Sequence, residues 1–341
     1  MTLVVARASR RRVAVVSDTQ LTKHDAREPI NEGIVKTYML PGGICVSFSN
    51  SPELAVSNFI EFASAYPTGA SFANTISFFE KASATTGNEY LIAFARQGKL
   101  AKIVDGRRVP STARTQWIGD KAAYERFREY EAKARKGFEA GRAFNAVVFA
   151  DEIDGSPASD LYSTMRHVIA DPEIATVGGF AYVLSDRLDM FRQSAYCDML
   201  FNWPEGAPDD FILQYNDQID FGASGENHSY AIVQASPGYL NLNVAAFYLL
   251  SGQKLFVFSD RDGNGLMQCS VINDVEPLQI TRRLNAYFGN DLGWLLQVLS
   301  APPNATGTNF RVPPITHGPS GVGLQWFCHV NTFPKTSSAD P

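Results

Sequence analysis

The sequence predicts an α+β fold that opens with paired strands and closes in a β-rich region. Three observations predict it. Short apolar runs flank polar turns at the start of the chain. Two stretches with apolar residues at helical spacing follow back to back, 51–62 and 71–84. From about residue 196 onward the apolar runs are strand-sized and separated by turn residues. The 341 residues allow one large domain or two. Hydrophobic residues make up 45% and charged residues 19%, the range of a chain that folds around a full core.

The elements follow in order. Thr2-Leu3-Val4-Val5-Ala6 and Val13-Ala14-Val15-Val16 read as a hairpin around the basic turn Arg7 to Arg12. Ser17-Asp18-Thr19-Gln20-Leu21-Thr22 leaves its second strand. Leu40-Pro41-Gly42-Gly43 is a turn, and Ile44 to Asn50 reads as a buried strand. Ser51 followed by Pro52 is a helix start, since Pro at the first helical position sacrifices no hydrogen bond. Pro67-Thr68-Gly69 separates this helix from the next, Ser71 to Ala84. Glu89 to Arg96 and Lys99 to Val104 read as a strand pair around Gln97-Gly98. Trp117-Ile118-Gly119-Asp120 leads into a helix from Ala122 to about Lys136. Another helix runs from Ser156 to Ala170, where Asp171-Pro172 stops it, and Val177 to Leu184 is strand-like. Asn202 to Pro208 is the best linker. Beyond it, Tyr230–Ala235, Tyr239–Leu250, Lys254–Ser259 and Leu266–Ile272 read as strands. A helix over about Pro277–Phe288 follows, then Leu292–Leu299 and Gly323–Val330 in a Pro- and Gly-rich tail. No internal repeat is present.

Composition narrows the function. The net charge is −5 and the only basic cluster, Arg7 with Arg10 to Arg12, is short. It reads as a solvated turn or an intersubunit contact, so no nucleic-acid partner is expected. Cys45, Cys197, Cys269 and Cys328 are scattered without a C-x-x-C pair, which fits a reducing, cytoplasmic setting better than a disulfide framework or a zinc site. No secretory leader and no membrane-spanning run are expected.

The chemistry sits in the first thirty-six residues. Met1 is usually trimmed before a residue as small as Thr, which would give Thr2 a free α-amine beside its own hydroxyl. That amine titrates near neutrality, at about pH 8, so it can take the hydroxyl proton. A nearby ammonium, Lys36, would stabilise the alkoxide, and Asp18 would keep that ammonium charged and oriented. The bland alternative is that Thr2 is an ordinary second residue, Asp18 a turn residue and Lys36 a solvated strand lysine.

These residues resemble a known family. Thr2, then Asp18-Thr19-Gln20-Leu21-Thr22 with Asp18 sixteen positions after Thr2, then Ile34-Val35-Lys36-Thr37-Tyr38-Met39-Leu40, look like the proteasome β-subunits and, within them, the HslV-like N-terminal-nucleophile (Ntn) hydrolases. The resemblance runs over about residues 2–191. It implies a four-layer αββα sandwich for 1–195, with 196–341 an appended β-rich region of unknown fold. It implies a threonine-type peptidase that works through an acyl-enzyme and needs no cofactor. It also implies a homo-oligomeric ring, a peptide or protein substrate and an ATP-dependent unfoldase partner. The family's oxyanion amide falls on Ser47, where the family has Gly. The family's Gly-Ser step becomes Gly119-Asp120; Asp120 would meet the Thr2 amine or serve as a helix cap. Asp171 and Thr176 stand several residues out of register for the family's supporting Asp and Ser. These departures leave open a catalytically inactive scaffold or binding protein, and the nucleophile itself leaves open a small-amide acylase.

Other motifs carry less. Asp260-Arg261-Asp262-Gly263-Asn264-Gly265 matches the first half of a calcium loop, but its twelfth position is Val271, and a hairpin turn is the better reading. His167 reads as a core histidine. His228, His317 and His329 lack metal spacing. Asn227-His228-Ser229 is a glycosylation sequon in form only.

Overall fold

The computed structural model describes residues 2–9, 12–20, 33–135, 143–149, 156–202, 230–235, 237, 243–249, 254–275, 279–289, 294–300 and 327–332. The linker proposed over 202–208 lies outside them beyond Asn202, as do the sequon, His317 and most of the Pro- and Gly-rich tail.

The opening hairpin is β1 (Leu3–Ser9) and β2 (Arg12–Ser17), antiparallel, with Ser9 opposite Arg12. It sits inside a five-stranded sheet. On one side β1 pairs with β8 (Thr115–Gly119); on the other, β2 pairs with β10 (Tyr182–Arg187), which pairs with β11 (Met190–Gln193). Leu3 to Ala6 and Val13 to Val16 are buried, as a strand pair covered on both faces requires. The basic cluster is partly used inside the chain: Arg7 bonds Thr115 and Glu131, and Arg12 lies 3.7 Å from Asp186.

A second five-stranded sheet is a meander of β3 (Thr37–Leu40), β4 (Ile44–Ser49), β5 (Glu89–Phe94), β6 (Lys99–Val104) and the short β7 (Arg107–Val109). Helices α1 (Pro52–Ala65) and α2 (Phe72–Thr86) join β4 to β5 and pack on this sheet. Ser51 caps α1 by position alone, whereas the Ser71 side chain accepts the Asn74 N–H and caps α2. Phe59, Phe62, Phe79 and Tyr90 meet edge-on or tilted between helices and sheet. Helix α3 (Lys121–Arg135) packs on α4 (Ala158–Ala170), and α4 covers β1, β2 and β10. The two sheets touch through β1, β2 and β8 against β4, β5 and β6.

The third sheet has six strands, in the order β16-β15-β14-β13-β12-β9. They are β9 (Ala143–Phe149), β12 (Tyr196–Asn202), β13 (Tyr230–Ala235), β14 (Ala245–Leu249), β15 (Lys254–Asp260) and β16 (Met267–Ile272). Strand β9 precedes residue 195 in sequence, yet pairs with β12 after it. The hydrophobic core is shared too: Phe180 stacks on Phe247 at 4.5 Å and meets Phe256 and Phe258. Helix α5 (Ile280–Phe288) and the pair β17 (Leu295–Ser300) and β18 (Phe327–Thr332) complete the described elements. The Asp260–Gly265 segment is the β15–β16 hairpin turn, closed by the Gly265 N–H to Asp260 and the Leu266 N–H to Asn264. The architecture is therefore mixed α and β with antiparallel sheets. No described helix is long and apolar enough to cross a membrane.

His167 on α4 gives the fold a pH dependence. Burial, with the Arg166 charge beside it, pushes its imidazole down to about 4. The unfolded chain binds that proton more readily, so the stability His167 contributes is full above about 6.5 and is lost as pH falls through about 4. The loss expected is about 2 kcal/mol after allowance for partial exposure. Urea unfolding across that window should be about this much less pH-dependent in His167→Gln; parallel curves would contradict the assignment.

Candidate active site

The chain start and the end of β2 are held together by their own ladder. Asp18 N–H donates to Leu3 C=O at 3.3 Å, and Leu3 N–H donates to Asp18 Oδ1 at 3.0 Å. This brings the Thr2 hydroxyl onto the same carboxylate, with Thr2 Oγ1 donating to Asp18 Oδ1 at 2.6 Å. Lys36 arrives from the segment before β3 and donates from Nζ to Asp18 Oδ2 at 2.8 Å and to Gln20 C=O at 2.6 Å. Thr2, Asp18 and Lys36 are all buried, at 3%, 0% and 4% exposure. Burial pushes the Lys36 ammonium below its usual range, and Asp18 opposes that push. The arrangement is a line, hydroxyl–carboxylate–ammonium. Asp18, rather than Lys36, is the group that touches the nucleophile candidate.

The site has a second wall. Thr19 and Gln20 N–H groups both donate to Gly178 C=O, and the Phe180 N–H donates to Thr19 Oγ1 at 2.8 Å. The Gly178-Gly179 approach to β10 thus clamps the Asp18-Thr19-Gln20 turn. A Cβ on Gly178 would lie 1.7 Å from Gln20 Oε1, so a larger residue there requires the Gln20 side chain to move.

Ser47 and Asp120 do not join the line as expected. In the β3–β4 ladder the Phe48 N–H donates to Lys36 C=O at 3.1 Å. Alternation then turns the Ser47 N–H to the other side, toward Leu91 of β5. Its hydroxyl shares a 2.9 Å hydrogen bond with Thr37. The Ser47 amide is a ladder donor in mid-sheet, not one aimed at Thr2. Asp120 does sit beside Thr2, but through its backbone: its N–H donates to Thr2 C=O at 2.7 Å. Its carboxylate caps α3, with Oδ1 accepting the N–H groups of Ala122 and Ala123, and Oδ2 accepts the Thr176 hydroxyl. Thr176 is therefore brought near the site. Asp171 is engaged by Arg126 and Tyr130 on α3.

Two further residues matter here: Gly119, which the family's Gly-Ser step marks, and Glu89, which sequence reasoning misses. Gly119 lies opposite Leu3 at φ +99, and a Cβ on it would stand 2.0 Å from Thr2 O, so only Gly fits beside Thr2. Because β8 is an edge strand and the Asp120 N–H turns to β1, the Gly119 N–H faces away from its own sheet. Glu89, from the neighbouring sheet, accepts it at 3.0 Å and also accepts from Ser49 at 3.2 Å. No pattern in the sequence marks Glu89 for this, since its partner is a backbone group thirty positions away.

Among the described residues no cluster of His, Cys, Asp and Glu is arranged to hold a metal ion. No family model matches the chain, and no curated protein matches it. Among solved structures it is similar to eukaryotic HslV from Trypanosoma brucei, at 13% identity and a TM-score of 0.38. That match covers 54% of this chain and 99% of the other.

Proposed function

We propose that this chain is an N-terminal-nucleophile amide hydrolase of proteasome-like αββα design, with Thr2 as its nucleophile. The observation that carries the reading is the buried line from Thr2 Oγ1 through Asp18 to Lys36 Nζ. An ordinary second residue has no need of a hydroxyl seated on a buried ion pair. The layering supports the same reading, with α1 and α2 outside one sheet and α4 outside the other.

On this reading, loss of Met1 frees the Thr2 amine, which takes the hydroxyl proton. Thr2 Oγ attacks the amide carbonyl, and the proton passes to the departing amine. Water then releases the acyl group. Asp18 orients the hydroxyl for attack, and the Lys36 ammonium holds the Asp18 carboxylate charged and in place. Asp120 fixes the Thr2 carbonyl and so the direction of the nucleophile. The Ser47 N–H can meet an oxyanion only by leaving its ladder. Assembly into a ring, a peptide or protein substrate and delivery by an ATP-dependent unfoldase belong to the same proposal. A cytoplasmic setting follows from the cysteine usage.

One observation favours a second reading, a non-catalytic protein on this scaffold: Thr2 is only 3% exposed. Intact mass together with a substrate panel separates the two. The hydrolase reading expects a mass lacking Met1 and turnover of either peptides or small acyl amides, which also distinguishes a peptidase from an acylase. Retained Met1 with no turnover would establish the scaffold.

A further inference from the structure

We infer that the β-rich region after residue 195 is a working part of the site, because it holds Lys36 in place, with Asn243 as the positioning residue. The inference rests on the role proposed for Lys36, but its geometry stands independently.

Strand β3 is the edge of its sheet, with β4 on one side only. The ladder phase decides which of its groups are left over. Lys36 and Phe48 form a hydrogen-bonded pair, so Val35, Thr37 and Met39 turn their N–H and C=O groups outward. Outward-facing groups on a buried edge need partners. The β-rich region supplies them for Met39 and for the Val35 N–H. Asn243 matches Met39 with both ends of its amide: Oδ1 accepts the Met39 N–H at 2.8 Å, and Nδ2 donates to Met39 C=O at 2.9 Å. Strand β16 grips the segment just before them. Val35 N–H donates to Met267 C=O at 3.2 Å, Cys269 N–H donates to Gly33 C=O at 3.1 Å, and Ile34 bridges Gln268. The Met267 N–H donates to the Tyr38 hydroxyl at 2.9 Å.

Lys36 lies between these two grips, three residues before Met39 and one after Val35. Its own backbone is held by β4 and its ammonium by Asp18 and Gln20. The same device recurs on the other sheet. Gln234 of β13, fully buried, accepts the Val183 N–H and donates to Val183 C=O, both at 3.2 Å. One side-chain amide thus anchors each of the two sheets that build the site. A Leu at position 243 could fill the space but would leave both Met39 groups buried and unpaired, which costs more than the bonds themselves.

The test uses the full chain. Asn243→Ala is compared with wild type by native-state hydrogen exchange and by the rate at which acetic anhydride modifies Lys36. The expected result is exchange faster by about tenfold or more across Gly33–Leu40, and Lys36 modified several-fold faster. The β1–β2 hairpin and the solvent-facing lysines should stay unchanged. Tyr38→Phe, which removes a single hydrogen bond of the β16 grip, should shift the same segment in the same direction by less, and it serves if Asn243→Ala fails to fold. Unchanged exchange at 33–40 would overturn the inference. So would a rise spread evenly over the whole chain, since that is what a merely structural residue gives. Neither readout requires hydrolysis, so a catalytically silent wild type would defeat the hydrolase reading and leave this one standing.

Discussion

Thr2→Ala should abolish the proposed amide hydrolysis, by about a thousandfold or more, because no other group would take over a lost covalent nucleophile. The fold survives. Asp18 loses the hydroxyl but keeps the Leu3 N–H and the Lys36 ammonium. The stability cost is the loss of one hydrogen bond to a charged group, about 2 kcal/mol. Thr2→Ser should retain measurable turnover, since it keeps Oγ while losing the methyl group that lies against Gly119. Residual turnover in Thr2→Ala at more than about a tenth of wild type would reject Thr2 as the nucleophile.

Lys36→Met should be the most destabilising single change at the site. The ammonium is 5% exposed and faces a carboxylate that is fully buried. Removing it strands the Asp18 charge away from water, and breaking a buried pair from one side costs about 3–5 kcal/mol. Removing both charges, in Lys36→Met with Asp18→Asn, should recover much of that loss, because the desolvation of the pair disappears with it. Urea midpoints of the single and double variants measure the coupling. A single variant within about 1 kcal/mol of wild type would mean that the pair is hydrated and contributes like a surface salt bridge.

Sequence carried the local parts of this fold well. The first hairpin, the Ser51-Pro52 and Ser71 helix starts, and strands β6 and β13 all stand where apolar spacing and turn chemistry put them. The meeting of Thr2 and Asp18 is legible for the same reason, since a hairpin brings its two open ends together; Lys36 comes from beside the other sheet, and only the family resemblance points to it. Strands β9 and β12 were missed. The first follows a helix after a polar connection, and the second sits where the family resemblance gave out. Their pairing is settled by partners far along the chain.

The site departs from expectation wherever a backbone group acts. The family's place for the oxyanion amide falls on Ser47, but its N–H turns to Leu91 because Phe48 bonds to Lys36; ladder phase has no signature in residue types. Asp120 fits the sequence both as a site carboxylate and as a helix cap, and its carboxylate does the capping while its N–H reaches Thr2. Gln20 contributes a carbonyl, not its amide side chain, to Lys36. Asn243 lies 204 positions from the residue it grips, beyond the reach of any local pattern.

The central claim is that the Thr2 oxygen attacks carbonyl carbon from its seat on Asp18. A β-lactone probe tests it most directly. Attack by Oγ breaks the ring C–O bond, and the proton released by the hydroxyl ends on the new alcohol, so the adduct carries the full mass of one lactone. Peptide mapping should find that mass on the Thr2 peptide of the wild type and no adduct in Thr2→Ala. A wild type that stays unlabelled, or an adduct that persists on another residue in Thr2→Ala, would contradict the account.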